Sequence, residues 1–182
     1  MKWIKDEEFI RGEVPMTKLP IRILSMAELE VSEDDRLLDI GAGTGSISIQ
    51  AAIMGADVTA IDTNEDAVEL VRENAKKFGL SVYVISGIAP NDLPDLKFNK
   101  VFVGGSKGKL TEIFEYLDSH LEKDGILVGN FIITKNVVEF TDLMYKNCYR
   151  DINVRMISHS QANKLGMMIA DNPIYIVKGV KE

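Results

Sequence analysis

The segment Asp39-Ile40-Gly41-Ala42-Gly43-Thr44-Gly45 constrains the fold of this chain more than any other part of its sequence. It begins inside an apolar run of strand length, residues 36–40, and it ends where residues 46–54, rich in Ile and Ala, predict a short helix. Glycines at such a turn permit positive φ and let the backbone approach a ligand closely. The helix that follows offers free N–H groups to an anionic group. The segment therefore predicts a ligand-binding turn in an open α/β sheet.

Short β-rich runs alternate with amphipathic segments of helical length along the chain, which predicts the α/β class and a mainly parallel sheet. The predicted strands are 36–40, 57–62, 81–86, 101–103, 126–133, 152–158 and 174–177, and the predicted helices are 17–29, 46–54, 64–78, 110–121 and 137–148. No parallel crossover follows the sixth run, so we expect five parallel strands and a terminal antiparallel pair. The length of 182 residues indicates one domain, with an N-terminal arm and helix at 1–30 and a core at 31–182.

The first helix carries two candidate roles for polar residues. Thr17 can cap it at its N-terminus, and Leu19, Ile23, Met26 and Ala27 are expected to form its buried face. Lys18 and Arg22 lie together on another face of this helix. Two interpretations of this pair stay open: the side chains are exposed to solvent, or they bind a ligand. At the other end of the chain, Cys148 falls on the apolar stripe of the last helix and is expected in the core.

Composition excludes several classes of function. The net charge of −7 disfavours general binding to nucleic acid, which depends on Lys and Arg meeting phosphates. No apolar run approaches the roughly 20 residues of a membrane helix, and the first residues carry no apolar signal segment, so we expect a cytoplasmic protein that binds neither membrane nor nucleic acid. Cys148 is the only cysteine, which excludes an internal disulfide and a multi-cysteine zinc site, and we predict no metal site.

Asp62, at the end of the second predicted strand, adds a second landmark to the glycine loop. A carboxylate at that place can accept hydrogen bonds from both hydroxyls of a ribose. The dinucleotide fingerprint G-x-G-x-x-G fails because Ser46 stands where the third glycine should be, and the phosphate-binding G-K-[ST] pattern is absent. Asp39, just before the loop, indicates a ligand with a positive charge. S-adenosyl-L-methionine, a ribose with a charged amino acid end and no phosphate, fits these features better than NAD.

The loop and Asp62 together resemble the first two motifs of the Rossmann-like class I methyltransferases, whose seven-stranded sheet has an antiparallel last strand. A closer resemblance, to the CbiT family of cobalt-precorrin C15-methyltransferases, covers nearly the whole chain. The segments that carry it are Asp6-Glu7-Glu8-Phe9-Ile10-Arg11, Val14-Pro15-Met16-Thr17-Lys18, Gly87-Ile88-Ala89-Pro90, Val103-Gly104-Gly105-Ser106-Lys107-Gly108 and Asn172-Pro173.

This resemblance implies methylation at C15 of a reduced tetrapyrrole, with loss of carbon dioxide from the C12 acetate. It also implies a homotetramer, and contact with other methyltransferases of the corrin pathway is a further expectation. With the loop argument, it makes these residues the expected cofactor site: Thr17, Asp39, Gly41, Ala42, Gly43, Thr44, Gly45, Asp62 and Ala89. Ile88 stands where the family often has an acidic residue, so we expect backbone groups, Asn91 or Asp92 to contact the adenine.

A polycarboxylate tetrapyrrole requires local cations in an acidic chain. The candidates are Lys18, Arg22, Lys107, Lys109, Arg155 and Lys164. The loop Gly104-Gly105-Ser106-Lys107 ends the fourth strand at the ligand-binding edge and is expected to face the substrate. No catalytic residue is assigned from sequence, and Ser106, Lys107 and His159 are the candidates.

Three other functions stay open at this point. One is a methyltransferase of the same fold that acts on protein or RNA. The second is an NAD(P)-dependent oxidoreductase, against which the glycine spacing argues. The third is a cofactor-binding protein without catalytic activity.

Overall fold

A seven-stranded sheet organises the computed structural model, which describes residues 2–182; Met1, the first residue of the predicted N-terminal arm, lies outside it. The strands are β1 (Arg36–Ile40), β2 (Asp57–Asp62), β3 (Tyr83–Ser86), β4 (Phe98–Val103), β5 (Leu121–Phe131), β6 (Tyr149–Ile157), β7 (Ser160–Ala162), β8 (Met168–Ala170) and β9 (Ile174–Lys181). Their order is β3-β2-β1-β4-β5-β9-β6, with β7 and β8 pairing separately. Six strands of the large sheet run in the same direction, and β9 runs antiparallel to them. The predicted mainly parallel sheet with an antiparallel last strand is confirmed.

Helices cover both faces of this sheet. They are α1 (Leu19–Leu29), α2 (Ser46–Ile53), α3 (Glu65–Phe78), α4 (Leu110–His120) and α5 (Thr134–Lys146). Neighbouring strand residues point to opposite faces: Leu37 packs in the cluster that contains α1 and α2, and Leu38 packs in the one that contains α4 and α5. This alternation explains why the central strands are apolar at nearly every position. Within residues 2–182, none of these helices is long and apolar enough to cross a bilayer.

The connections of β1 determine where a ligand can bind. From β1 the chain proceeds to β2 and β3 on one side, and it returns to place β4 and β5 on the other side. The loops that leave β1 and β4 therefore separate in opposite directions, and a crevice opens between them at the carboxyl ends of the strands. The glycine loop 41–45 lies at this crevice.

A short hairpin, β7–β8, projects from the region that the sequence left without structure, residues 160–173. Its strands have three residues each, too few to show an alternating pattern. Its apolar side chains are exposed, and Leu165 and Met168 retain 84% and 65% of their accessible surface. The predicted terminal pair is antiparallel as expected, but the last strand, β9, lies beside β5, and β6 forms the edge.

The N-terminal arm shows that two predictions about the first helix were wrong. Thr17 is not the cap: the helix begins after Lys18, which makes no side-chain cap. Instead the Leu19 N–H donates to both carboxylate oxygens of Asp6, at 3.0 and 3.2 Å. The arm folds back onto the helix and supplies the acceptor that the local sequence lacks.

Arg22 is fully buried and does not belong to a solvated or substrate-binding face. Its guanidinium donates to the backbone oxygens of Ile4, at 2.5 Å, and Thr17, at 2.9 Å, and it pairs with Asp6 at 3.1 Å. Burial lowers the pKa of this guanidinium, and the neighbouring Asp6 opposes the shift. Arg22 therefore ties the arm to α1, and its expected contact with substrate is corrected.

Two predictions of core positions also fail. The buried residues of α1 are Ile21, Arg22, Ser25, Met26 and Leu29, so only Met26 of the predicted face is correct. Cys148 is exposed because α5 ends at Lys146 and Cys148 adopts a left-handed φ of 56°.

We predict that Arg22→Met lowers the free energy of unfolding by about 2–4 kcal/mol, because the substitution removes the donor to the buried Ile4 carbonyl, a donor to the partly buried Thr17 carbonyl and the cation paired with Asp6. Urea unfolding measures this change. Arg155→Met is the matched control: Arg155 pairs with Glu28 at a half-exposed position, so its loss should cost less than about 1 kcal/mol. Equal costs for the two substitutions would contradict the structural role of Arg22.

Candidate functional site

A cavity of about 470 Å³ opens at the carboxyl ends of the strands. Its walls come from the N-terminal arm and from the loops that follow five of the strands: residues 14–17, 41–43, 62–64, 87–89, 104–107 and 130–133. Phe102, Asn136 and Ile174 add to the wall on the β5 side. Among the lining residues, only Asp62 and Lys107 carry a charge.

The glycine loop is shaped by close backbone contacts. Gly41, Gly43 and Gly45 have φ values of 74°, 56° and 77°, which favour glycine. A Cβ atom on Gly41 would lie 2.6 Å from the Gly105 nitrogen, and one on Gly43 would lie 2.7 Å from the Pro15 oxygen. Glycine at 41 and 43 thus lets the β1 loop touch both the β4 loop and the N-terminal arm.

Asp62 connects the glycine loop to the start of α3 at the cavity wall. Its Oδ2 accepts from the Gly43 N–H and its Oδ1 accepts from the Asn64 N–H, both at 2.9 Å. Each carboxylate oxygen retains lone-pair capacity, and the residue is part of the cavity wall. Asp62 is thereby oriented by the backbone and is able to accept two further hydrogen bonds from a ligand.

Asp39 lies beneath the glycine loop and not on the cavity wall. Its side chain is fully buried, and Ser48 Oγ donates to its Oδ2 at 2.5 Å, while Oδ1 has no hydrogen-bond partner. Burial raises the pKa of Asp39 to about 7; the Ser48 hydroxyl opposes this shift and the charge of Asp62 adds to it. Where a direct contact with a cationic ligand was expected, the structure shows a residue that supports the loop from below.

The other expected cofactor residues divide into two groups. Those on the cavity wall are Thr17, Gly41, Ala42, Gly43, Asp62 and Ala89. Thr44 and Gly45 are buried behind the loop: the Thr44 carbonyl accepts from Asn74 Nδ2 at 3.1 Å, and a Cβ on Gly45 would meet Val71. Thr44 and Gly45 therefore support the wall without forming part of it.

Neither Asn91 nor Asp92 lies on the cavity wall, although both were expected near the adenine. Asp92 Oδ2 accepts from the Ile88 N–H at 2.7 Å, which holds the turn after β3. Ile88 itself lines the cavity and is 45% exposed. At this end the cavity therefore offers an apolar side chain and backbone groups.

The β4 loop places its expected substrate residues, Gly104, Gly105, Ser106 and Lys107, together on the wall. The remaining cation candidates lie elsewhere or are paired. Lys18 Nζ contacts Asp171 Oδ1 at 2.5 Å, and Arg155 pairs with Glu28 at 2.7 Å. Lys109 and Lys164 are not among the lining residues.

His159 is held by Asp171 and lies outside the cavity wall. The distance between His159 Nδ1 and Asp171 Oδ2 is 3.0 Å, and Lys18 contacts the other carboxylate oxygen. These two partners lower the pKa of Asp171, with the Lys18 contact contributing most. The cluster joins the base of the β7–β8 hairpin to the start of α1.

Sequence reasoning missed the wall that follows β5. Asn130, Phe131, Ile132, Ile133 and Asn136 line the cavity there. Asn130 Nδ2 donates to Ser25 Oγ at 2.8 Å, while its Oδ1 is buried without a partner. The rule that placed the β4 loop at the ligand-binding edge applies equally to the residues after β5 and could have found them.

Comparison with known proteins identifies relatives that match this chain over almost its whole length. The model of the precorrin methyltransferase domain family matches residues 8–179. The chain is 37% identical to a probable cobalt-precorrin-6B C(15)-methyltransferase (decarboxylating) of Methanocaldococcus jannaschii, over 98% of each chain. It is 35% identical to the protein of that name in Saccharolobus solfataricus, over 98% of this chain and 95% of the relative. A precorrin-6y C5,15-methyltransferase of Geobacter metallireducens superposes with a TM-score of 0.92 at 29% identity, over 99% of this chain and 97% of that one.

We predict that Asp39→Asn changes the pH dependence of stability. Between pH 4 and pH 7 the native Asp39 keeps a proton that the unfolded chain has lost, so the free energy of unfolding falls as pH rises through this range. The variant has no carboxylate at this position, so its free energy of unfolding does not fall for this reason. Between pH 4 and pH 7 its stability should therefore rise relative to wild type by at most about 4 kcal/mol. Urea unfolding at several pH values measures the difference, with Asp57→Asn at the exposed start of β2 as control. Parallel pH profiles for Asp39→Asn and wild type would contradict the prediction.

Proposed function

The chain belongs to the precorrin methyltransferase family, and we propose that it transfers a methyl group from S-adenosyl-L-methionine to C15 of a cobalt-precorrin, with loss of carbon dioxide from the C12 acetate. The names of its relatives include both the methyl transfer and the decarboxylation. The structural observation that carries the proposal is the backbone-oriented Asp62 beside the glycine loop, in a cavity at the reversal of strand order.

The cavity fits the expected methyl donor. The two oxygens of Asp62 can accept from the two ribose hydroxyls, and the bare backbone of Gly41 and Gly43 admits the amino acid end. Ile88 provides an apolar contact for the adenine. When bound, this cofactor supplies an electrophilic methyl group on a positively charged sulfur. The volume of about 470 Å³ lies within the range of about 300–1,000 Å³ for small-molecule sites.

The residues of the chain act mainly by positioning and by excluding water. Apart from Asp62 and Lys107, no charged side chain lines the cavity as the structure describes it, and no histidine does. The transfer needs an electron-rich carbon held in line with the methyl group, and holding two reactants in place can lower a barrier by several kcal/mol. We propose that the loops accelerate the reaction by holding the two reactants in this geometry, and that no residue of the cavity wall acts as a general base.

The β4 loop is our proposed contact for the substrate. Lys107 is the cation on the wall, and Ser106 beside it can donate to a carboxylate. The C12 acetate loses its carboxylate as carbon dioxide when the C–C bond to that carboxylate breaks; the bonding electrons pass into the macrocycle, and a proton then completes the methyl group left at C12. An unpaired, dehydrated carboxylate is less stable than one paired with a cation, so a wall without a cation favours this bond breaking. The wall near Phe102, Phe131 and Ile174 is apolar and suits that requirement.

Mass analysis of the product tests the reaction. The purified enzyme is incubated with S-adenosyl-L-methionine and the cobalt-precorrin, and the expected product has gained one methyl group and lost one carbon dioxide. Methyl transfer to bulk protein or RNA, with none to the corrinoid, would favour the alternative methyltransferases. Calorimetric binding of NAD(P) in place of S-adenosyl-L-methionine would favour an oxidoreductase.

We predict that Asp62→Ala weakens binding of S-adenosylhomocysteine roughly 10- to 100-fold, because a charged acceptor of ribose hydrogen bonds contributes about 1.5–3 kcal/mol. Isothermal titration calorimetry measures the affinity. Asp66→Ala, an exposed carboxylate in the first turn of α3, is the matched control and should bind as wild type does. Unchanged affinity in Asp62→Ala would remove the carboxylate from the ribose site.

We also propose self-association, as a homotetramer, through the β7–β8 hairpin. Leu165, Met167, Met168 and Ile169 are more than half exposed on one short hairpin, and contiguous apolar patches mark interaction sites. Contact with other methyltransferases of the corrin pathway, cytoplasmic location and a single domain over residues 1–182 stay predictions.

We predict that Leu165→Glu/Met168→Glu lowers the assembly mass in sedimentation velocity, because like charges would meet at the contact between subunits. Leu96→Glu is the control, since Leu96 is half exposed in the turn before β4. A tetramer that persists in the double variant would exclude the hairpin as the interface, and a monomeric wild type would exclude the assembly itself.

A further inference from the structure

The cavity has two halves, defined by the order of the strands. On one side lie the loops after β1, β2 and β3, with Gly41, Asp62 and Ile88. On the other side lie the loops after β4 and β5, with Lys107 and residues 130–133. The first half holds the carboxylate and bare backbone that suit the cofactor. The second half is therefore the side from which an acceptor carbon must approach the methyl group.

Volume decides how the acceptor can approach. Small-molecule sites that enclose one ligand measure about 300–1,000 Å³, and this cavity measures about 470 Å³. A cofactor of nucleoside size therefore occupies most of it. A tetrapyrrole is much larger than the space left, so the macrocycle has to lie across the mouth of the cavity with one edge directed inward.

Two isoleucines stand at this mouth. Ile132 and Ile133 follow the last residue of β5, and Ile133 is the N-cap position of α5. Both line the cavity, yet their side chains are 58% and 60% exposed. When a ligand covers exposed apolar side chains at the rim of a cavity, the buried apolar surface contributes roughly 25 cal/mol per Å² to the binding free energy. We call this pair the isoleucine ledge.

Resting on the proposed function, we propose that the isoleucine ledge is the docking surface for one face of the tetrapyrrole macrocycle. The ring face of such a substrate is broad and apolar, while its carboxylates lie at the periphery. With the face against Ile132 and Ile133, peripheral carboxylates stay in water or reach Lys107 across the mouth. The ledge thereby determines which edge of the ring meets the methyl group.

The chemistry of this half favours a macrocycle over a peptide or an RNA strand. Lys107 is the only charged residue lining it in the described part of the chain, and a phosphate backbone would need several such cations. An extended peptide would need unpaired backbone groups at a sheet edge. Here β5 is paired on both sides, with β4 and β9.

The test compares Ile132→Ser/Ile133→Ser with two control variants. Steady-state assays give KM for the cobalt-precorrin and kcat, and calorimetry gives the affinities for S-adenosylhomocysteine and, in its presence, for cobyrinic acid, a polycarboxylate corrin. The double variant should raise KM and weaken corrin binding roughly 10- to 100-fold through lost apolar contact. Binding of S-adenosylhomocysteine should stay within about twofold, which also shows that the variant is folded.

The controls separate the two halves of the cavity. Ile88→Ser, on the cofactor side, should weaken S-adenosylhomocysteine binding more than corrin binding. Val138→Ser, an equally exposed apolar residue of α5 that lines an outer groove, should change neither affinity.

Three outcomes would contradict the proposal that the isoleucine ledge docks the macrocycle. Unchanged KM and corrin affinity in the double variant, while wild type turns over the cobalt-precorrin, would exclude the ledge and leave the proposed function intact. An equal loss of affinity for both ligands would show a structural defect rather than a docking surface. A wild-type enzyme that neither methylates the cobalt-precorrin nor binds the corrin would exclude both proposals.

Discussion

The close contact between two glycines, Gly41 in the loop after β1 and Gly105 in the loop after β4, is the constraint on which the rest of the site depends. A Cβ atom on Gly41 would lie 2.6 Å from the Gly105 backbone, so any other residue would force the loops after β1 and β4 apart. Adjacent parallel strands whose connections diverge leave a crevice at this point. The contact narrows the crevice between its cofactor side and its substrate side. A methyl donor on one side and a methyl acceptor on the other therefore meet beside Gly41 and Gly105.

Polar groups on the cavity wall and beneath it hold these loops in place. Asp62 fixes Gly43 through its N–H, Asp39 supports the strand end beneath the loop, and Arg22 ties the N-terminal arm to α1. A buried polar group contributes most when every partner is present and costs most when one is missing. The arm is therefore part of the site: its residues 14–17 form one wall, and its position depends on a guanidinium that no ligand can reach.

Local patterns in the sequence predicted the elements whose determinants are close together in the chain. Helix α3 is the clearest case, since Asn64 caps it, accepting from the Asp66 N–H at 3.0 Å, and Gly79 ends it. The glycine loop was found for the same reason. The burial of Arg22 could not be found, because its partners, Ile4, Asp6 and Thr17, are brought to it by the fold of the arm.

Two further misses have another cause, which is the residue at which a helix or strand ends. The helical stripe that placed Cys148 in the core ignores that α5 stops before it and that its backbone turns left-handed. The position of Ile132 and Ile133 on the cavity wall was missed because the apolar run predicts a strand to residue 133, whereas β5 ends at Phe131 and these two residues follow it at the ligand-binding edge. The sequence therefore predicts the glycine loop, Asp62 and the β4 loop on the cavity wall and misses the wall after β5, because that wall depends on the residue at which the strand ends.

The charge distribution limits how the proposed polycarboxylate substrate can be bound. With a net charge of −7, long-range attraction cannot collect a carboxylate-rich ligand. Several cations are already paired within the described residues, Lys18 with Asp171 and Arg155 with Glu28 among them. As the one cation among the lining residues, Lys107 can orient a single carboxylate of the ligand, but it does not create an attractive potential over the whole mouth. For the proposed macrocycle, affinity then has to come from apolar contact at the mouth of the cavity. Selectivity has to come from the fit between the ring edge and the narrow space between the loops that follow β1 and β4.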